Sequence, residues 1–298
     1  MKVALIGLGS VGRGVAEMIA KKDLGLVLTG IADSKSAFMD PAGIDIARVL
    51  ATKKKTGSCG DQNLTAEDVI KKADYDALIE VTPTNALSGE PAIGYIKAAL
   101  NRKKHVVTSK KGPIALAAKE LLTMAKKKGV TLRYEATVAG AIPVMHTLEQ
   151  GLAGNEILAL YGVLNGTCNY ILTRMAAEGL TYEQALMEAR EMGYAEADPT
   201  YDVQGIDAAI KLVILANTIW DNGVKLADVD RTGIDLLTPD ALRLADEEGC
   251  TIRLIAEANP KSTCSAYRRG SLTGTTRWSL KARSTPSRSR PIWQRRSP

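Results

Sequence analysis

Gly7-Leu8-Gly9-Ser10-Val11-Gly12 is a G-x-G-x-x-G run, set directly after the apolar stretch Val3 to Ile6 and directly before a helical pattern, Val11 to Lys22. In such a strand, loop and helix unit the first glycine permits a tight turn. The second lets backbone approach a pyrophosphate, and the third lets the helix pack on the strand while its N-terminus faces the anion. The alternative is a glycine-rich structural turn, but the context, six residues into the chain, favours dinucleotide binding. Working outward, apolar runs at Leu26 to Ala32, Ala77 to Val81, His105 to Thr108 and Val130 to Tyr134 alternate with helical patterns at Ile93 to Leu100 and Ile114 to Lys127. Strands too apolar to leave one face in water, alternating with helices, indicate a parallel sheet covered on both sides. The expected fold is α/β, with an N-terminal Rossmann-type doubly wound domain over residues 1–134.

From about Asn155 the rhythm changes to strand, three helices and strand (Ile157 to Val163, then Thr251 to Ala256), an α+β pattern, and a second, catalytic domain is assigned to 135–260. Thr181 with Gln184 forms a capping box, and Thr238-Pro239 is an N-cap followed by proline at the first helical position. The 298 residues, 45% of them apolar, suffice for two cores. Four cysteines without a Cys-x-x-Cys pairing, and two distant histidines, argue against structural zinc and a disulfide framework. No apolar run approaches the roughly 18 residues of a membrane span, so a soluble, cytoplasmic protein is expected.

Asp33 stands where an acid would bond the adenine ribose hydroxyl of NAD, or it is a solvated strand-end acid. Ser34, Lys35 and the run Lys53, Lys54, Lys55 could hold the 2′-phosphate of NADP, or form an ordinary solvated face. The coenzyme is left as NAD or NADP. Thr108-Ser109-Lys110-Lys111 ends a strand at the carboxyl edge, where ligands of open α/β sheets bind, and Thr82 is taken with them as cofactor-binding. In Gly193-Tyr194-Ala195-Glu196-Ala197-Asp198-Pro199-Thr200-Tyr201-Asp202-Val203-Gln204-Gly205-Ile206-Asp207-Ala208-Ala209-Ile210-Lys211-Leu212, Asp207 and Lys211 share one helical face. They form either a solvated i, i+4 ion pair or, given the apolar residues around them, a buried functional pair. Glu196 and Asp202 lie on the irregular stretch leading in. The small residues after Glu135, Ala136 to Pro143, suit close packing or carbonyls converging on a cation.

Taken in order over residues 1 to 257, G-L-G-S-V-G, Y-E-A-T-V-A-G-A-I-P, L-N-G-T-C-N-Y-I-L-T and G-Y-A-E-A-D-P-T-Y-D-V-Q-G-I-D-A-A-I-K-L resemble the homoserine dehydrogenases, in the short form without a regulatory domain. The resemblance implies NAD(P)-dependent interconversion of L-homoserine and L-aspartate 4-semialdehyde, in threonine and methionine biosynthesis. It makes Lys211 the proton donor and Lys111 a second lysine at the reacting end. Glu196, Asp202 and Asp207 become substrate-binding, Gly193 a cofactor contact, and the carbonyls of Glu135, Val138, Gly140 and Ile142 a sodium site. It further implies a homodimer. Lys110 departs from the family, which usually has asparagine there.

Residues 261–298 do not resemble the family's closing strands and helix. They hold ten basic residues and no acid. Of the chain's 39 basic residues 29 therefore face all 33 acidic ones in the body, a balance of −4 beneath the overall +6. A one-base-shifted reading of degenerate codons for Thr276 to Pro286 yields P-L-E-L-E-G-T-L-N-A, which looks like the missing region, so this basic tail is read as a frameshift product. The competing readings are a nucleic-acid-binding tail, although no nucleic-acid fold signature accompanies it, and a non-catalytic dinucleotide sensor.

Overall fold

The computed structural model describes residues 1–83 and 88–260, with the backbone of 276–277, 279–280 and 283–284. The frameshift and nucleic-acid readings of the tail otherwise lie outside the described residues. The chain divides into two compact units, Met1–Asn155 with Asn217–Lys225, and Glu156–Ala216 with Leu226–Pro298. The first unit thus takes in residues 135–155 and 217–225, which the sequence reading assigns to the second domain.

In the first unit β1 (Lys2–Ile6), α1 (Ser10–Lys21), β2 (Val27–Ala32), β3 (Ala37–Met39), α2 (Ile46–Thr56), α3 (Ala66–Lys72), β4 (Ala77–Glu80), α4 (Ala92–Asn101), β5 (His105–Thr108), α5 (Lys111–Lys128), β6 (Leu132–Arg133) and the single-turn α6 (Val144–His146) follow in order. The strands form one sheet in the order β3-β2-β1-β4-β5-β6. Val3 to Ile6 are buried on both sheet faces, as the apolar run requires. Val3 and Leu5 share a core with Ala16, Ile46 and Val49 of α1 and α2. On the opposite face, a methyl at Gly30 would meet Val69 of α3 at 2.6 Å. Both faces are therefore covered, and the Rossmann-type fold is present.

One strand departs from the parallel expectation. β3 runs antiparallel to β2, because the chain reverses tightly after β2. Asp33 Oδ1 accepts the N–H groups of Lys35 and Ser36, an Asx-type turn that leaves no room for a crossover helix. α2 and α3 are further elements that the sequence reading does not assign. Their ends carry local signals, an Asp45 N-cap and a Thr65/Asp68 capping box. α5 starts three residues earlier than expected, with Pro113 inside its first turn, where a missing N–H costs nothing.

The second unit holds β7 (Leu160–Gly162), α7 (Gly166–Glu178), α8 (Tyr182–Glu191), α9 (Thr200–Val203), the first part of α10 (Ile206–Trp220), β8 (Val229–Asp230), α11 (Pro239–Glu247), β9 (Cys250–Thr251) and β10 (Leu254–Ala258). β10 pairs antiparallel with β7. The short strands β11 (Thr276–Arg277), β12 (Ser279–Leu280) and β13 (Arg283–Ser284) pair with β8, β10 and β9 respectively. The capping box of α8 and the Thr238 cap of α11 form as the sequence predicts. Among the described residues no helix is long and apolar enough to cross a membrane.

The glycines of the first loop divide into two kinds. A methyl on Gly12 would lie 1.9 Å from the Gly7 carbonyl oxygen, whereas one on Gly9 would meet nothing within 4 Å. Gly12→Ala should therefore cost about 1–3 kcal/mol of stability through overpacking. Gly9→Ala should leave urea unfolding unchanged within about 0.5 kcal/mol. Equal unfolding midpoints for the two variants would contradict this assignment.

Candidate functional site

The sheet order changes direction at β1, which has β2 on one side and β4 on the other. At the carboxyl ends of open parallel sheets this is where a crevice forms. A cleft of ≈ 990 Å³ lies here, bounded by Gly7, Leu8 and Gly9 of the loop, Asp33 and Ser34 after β2, Lys53 and Lys54 of α2, and Thr82 after β4. Gly7 has φ +100, and a side chain there would strike the Val81 carbonyl at 2.7 Å. Gly9, the N-cap of α1, opens to empty space, and the first turn of a helix leaves N–H groups without intrahelical partners. The chemistry of these residues fits a dinucleotide phosphate.

Asp33 is not a solvated acid. Its side chain is 4% exposed, and Lys53 Nζ donates to Oδ2 at 2.5 Å. Oδ1 takes the Lys35 and Ser36 N–H groups and the Ser36 hydroxyl. Burial opposes ionisation, but the hydrogen bonds from Lys53, Lys35 and Ser36 outweigh it and hold the carboxyl below its ordinary value. Of the bases singled out in the sequence, Lys53 and Lys54 reach the cleft from the last turn of α2, where cations also favour the helix dipole. Lys35 meets Asp33 through its N–H rather than its ammonium. Arg13 also lines the cleft and was missed. Its signal was its place on the first turn of α1, next to Gly12.

Glu80 was missed as well. It is fully buried at the end of β4 and joins two of the expected cofactor residues. Oε1 accepts the Thr82 N–H and hydroxyl, at 2.8 and 2.6 Å, and Oε2 accepts the Thr108 hydroxyl at 2.8 Å. An acid closing the apolar run Ala77-Leu78-Ile79 was the available signal. Ser109 and Lys110 follow β5, and Lys111 opens α5. Burial pulls the Lys110 ammonium below its usual range, opposed by the Glu80 charge and assisted by Lys111.

Glu135 uses its carboxylate to accept the N–H groups of Met145 and His146, both at 2.9 Å. Between them Val138, Ala139, Gly140 and Ile142 form an irregular loop, with Ala139 and Gly140 both left-handed at φ 60 and 59. Among the described residues no cluster of three or more His, Cys, Asp or Glu could hold a metal.

In the second unit Asp207 and Lys211 lie on one face of α10, as their spacing predicts, 2.7 Å apart and with side chains 5% and 19% exposed. Lys211 Nζ also donates to the Leu164 carbonyl at 2.7 Å. Asn165, again missed, donates to Asp202 Oδ1 at 2.6 Å and to Asp207 Oδ2 at 3.0 Å. Gly193 ends α8 at φ 75. The following loop is pinned by the Thr167 hydroxyl on the Tyr194 carbonyl and by Tyr194 packing on Tyr170. Glu196 stands exposed on this loop.

Residues 7–135 match the family described as homoserine dehydrogenase, NAD binding domain, and residues 143–288 match homoserine dehydrogenase. The second match runs beyond residue 257, into the basic tail. The homoserine dehydrogenase of Methanocaldococcus jannaschii is 45% identical over 269 residues, covering 86% of this chain and 80% of that protein. The NAD(+)-dependent homoserine dehydrogenase of Pseudomonas canavaninivorans is 40% identical over 271 residues, with coverages of 86% and 77%. The crystal structure of a putative homoserine dehydrogenase from Archaeoglobus fulgidus superposes with a TM-score of 0.85 at 43% identity, covering 95% of this chain and 84% of that one. The chain belongs to the homoserine dehydrogenase family, an oxidoreductase with an NAD-binding domain, and the sensor reading is set aside.

The Asp33 pair has a pH signature. Because the folded-state pKa is depressed, its stabilisation is present above the ordinary carboxylate value and lost as pH falls through the folded value. Carboxyl NMR titration should place the Asp33 midpoint below 3.8, and Lys53→Met should raise it. An unmoved midpoint in the variant would remove Lys53 as a cause.

Proposed function

We propose that this chain interconverts L-homoserine and L-aspartate 4-semialdehyde, with Lys211 as the proton-transferring group. The observation that carries the reading is the Asp207, Lys211 and Leu164 carbonyl cluster in a chain of this family. A bound nicotinamide supplies or takes the hydride. As the aldehyde carbon accepts it in reduction, negative charge grows on the carbonyl oxygen, and a nearby ammonium both stabilises that charge and delivers the proton. Two hydrogens of Lys211 are engaged by Asp207 and the Leu164 carbonyl, which fixes the direction of the third. We assign that third hydrogen to the substrate oxygen. Lys111 is proposed as the second catalytic lysine. Glu196 would receive the substrate ammonium, and Asp202 with Asp207 would complete the polar wall that orients it.

For the coenzyme we propose Gly7 to Gly12 at the pyrophosphate, with Thr82, Thr108, Ser109, Lys111 and Gly193 toward the nicotinamide end. Asp33 with Ser34 and Lys35 would meet the adenosine ribose. Asp33 favours the two ribose hydroxyls of NAD, while Arg13, Lys53 and Lys54 suit a 2′-phosphate, so acceptance of both NAD and NADP is the reading we adopt. A sodium ion on the carbonyls of Glu135, Val138, Gly140 and Ile142 is carried as part of it. Hard cations take backbone carbonyl oxygens as ligands, and the backbone from Val138 to Ile142 belongs to no helix or sheet. Of these oxygens Ile142 O already accepts the Val144 N–H at 2.8 Å. A homodimer fits the exposed apolar residues Leu158, Tyr161 and Val163 in and beside β7. A cytoplasmic location accords with the chemistry.

Homoserine-dependent reduction of NAD⁺ and of NADP⁺, followed by nicotinamide absorbance, tests the reading. Lys211→Ala should lower kcat by on the order of 10²–10⁴ with the fold retained. Turnover undiminished in that variant would overturn the role of Lys211. Silence of the parent chain with both coenzymes would overturn the reaction.

A further inference from the structure

Asn165 lies outside every motif role assigned above, yet it is 4% exposed and every polar function of its side chain is used. Its Oδ1 accepts the Cys168 N–H at 2.8 Å, which caps α7. Its amide nitrogen carries two hydrogens and has two acceptors, Asp202 Oδ1 at 2.6 Å and Asp207 Oδ2 at 3.0 Å. Oδ2 of Asp207 is the same oxygen that receives Lys211 Nζ at 2.7 Å. The neighbouring residue, Leu164, presents its carbonyl to that ammonium. Residues 164 and 165 therefore touch both members of the ion pair, one through backbone and one through side chain.

We propose that Asn165 is a positioning residue for proton transfer: its amide holds Asp202 and Asp207 together as charged acceptors and so fixes where Lys211 points. The inference rests on the reading of Lys211 as the proton-transferring group. The chemistry selects asparagine among capping residues. Helix N-caps need only an oxygen acceptor, which aspartate and serine also provide. Two carboxylates brought to one point need a donor between them, which neither can supply in the same way. Aspartate at 165 would instead add a third carboxylate, and like charges crowded together favour protonation. A protonated Asp207 would lose its hold on the Lys211 ammonium.

The test separates the cap from the donor. Asn165→Asp and Asn165→Ser both preserve an acceptor for the Cys168 N–H; Asn165→Ser, which adds no charge, should unfold thermally closer to the parent, and Asn165→Asp, which buries a third carboxylate, should unfold earlier. If Asn165 positions the acids, kcat should fall at least tenfold in both, with a smaller change in KM for coenzyme. In Asn165→Asp the acid limb of the kcat–pH profile should also move to higher pH, and in Asn165→Ser it should move less. Parent-like kcat and pH profiles in both variants would overturn the proposal, since capping alone would then account for Asn165. Failure of both to fold would overturn it equally, by making the residue structural. Lys211→Ala is assayed alongside. If that variant turns over normally, the fault lies with the assignment of Lys211, whereas its inactivity beside active Asn165 variants faults the present inference alone.

Discussion

The first unit depends on one close approach, the passage of α1 over the end of β1. There is no space for a methyl group between Gly12 and the Gly7 carbonyl. That contact brings the helix start to the carboxyl edge of the sheet, beside the chain leaving β4. It also fixes where the loop can turn, since Gly7 sits against the Val81 backbone with φ +100. The open face at Gly9 follows from the same geometry. A phosphate site of this type is thus a by-product of packing a helix onto a strand as tightly as backbone allows.

A second regularity concerns buried acids. Asp33, Glu80 and Asp207 are all withdrawn from water, and each is met by several donors. A buried carboxylate without such partners would protonate or destabilise the fold. The donors differ in kind, and that difference separates their roles. Glu80 meets hydroxyls and an N–H, which tie together the chain leaving β4 and the end of β5. Asp33 and Asp207 each meet a lysine, so each holds a cation at its site.

Much of this was legible in the sequence, for physical reasons that can be named. Parallel strands buried on both faces give uninterrupted apolar runs, and β1, β2 and β4 fall where such runs stand, while β5 falls on its expected stretch with alternate residues buried. The Asp207–Lys211 pair follows from helical spacing, and the caps at Thr181 and Thr238 from local hydrogen bonding. β3 escaped because three residues on a sheet edge carry almost no periodicity. Glu80 and Asn165 escaped for another reason. Their importance lies in partners 28 and 42 residues distant in sequence, and no local pattern reports such contacts. Asp33 shows a third kind of difficulty, since its position suggests a ligand contact whereas the role its side chain displays is to build the turn into β3.

Cys168 stands on the first turn of α7, within the field of Asp202 and Asp207. Burial, reinforced by those two negative charges, pushes its thiol up to about 12. At neutral pH the group is therefore the thiol. Thiolates add readily to aldehydes, and an aldehyde is one of the two compounds this enzyme is proposed to handle. Buried first of all, and bordered by Asp202 and Asp207, the Cys168 sulfur stays a thiol that gives its hydrogen to the Asp202 carbonyl at 3.2 Å and offers no thiolate to an aldehyde.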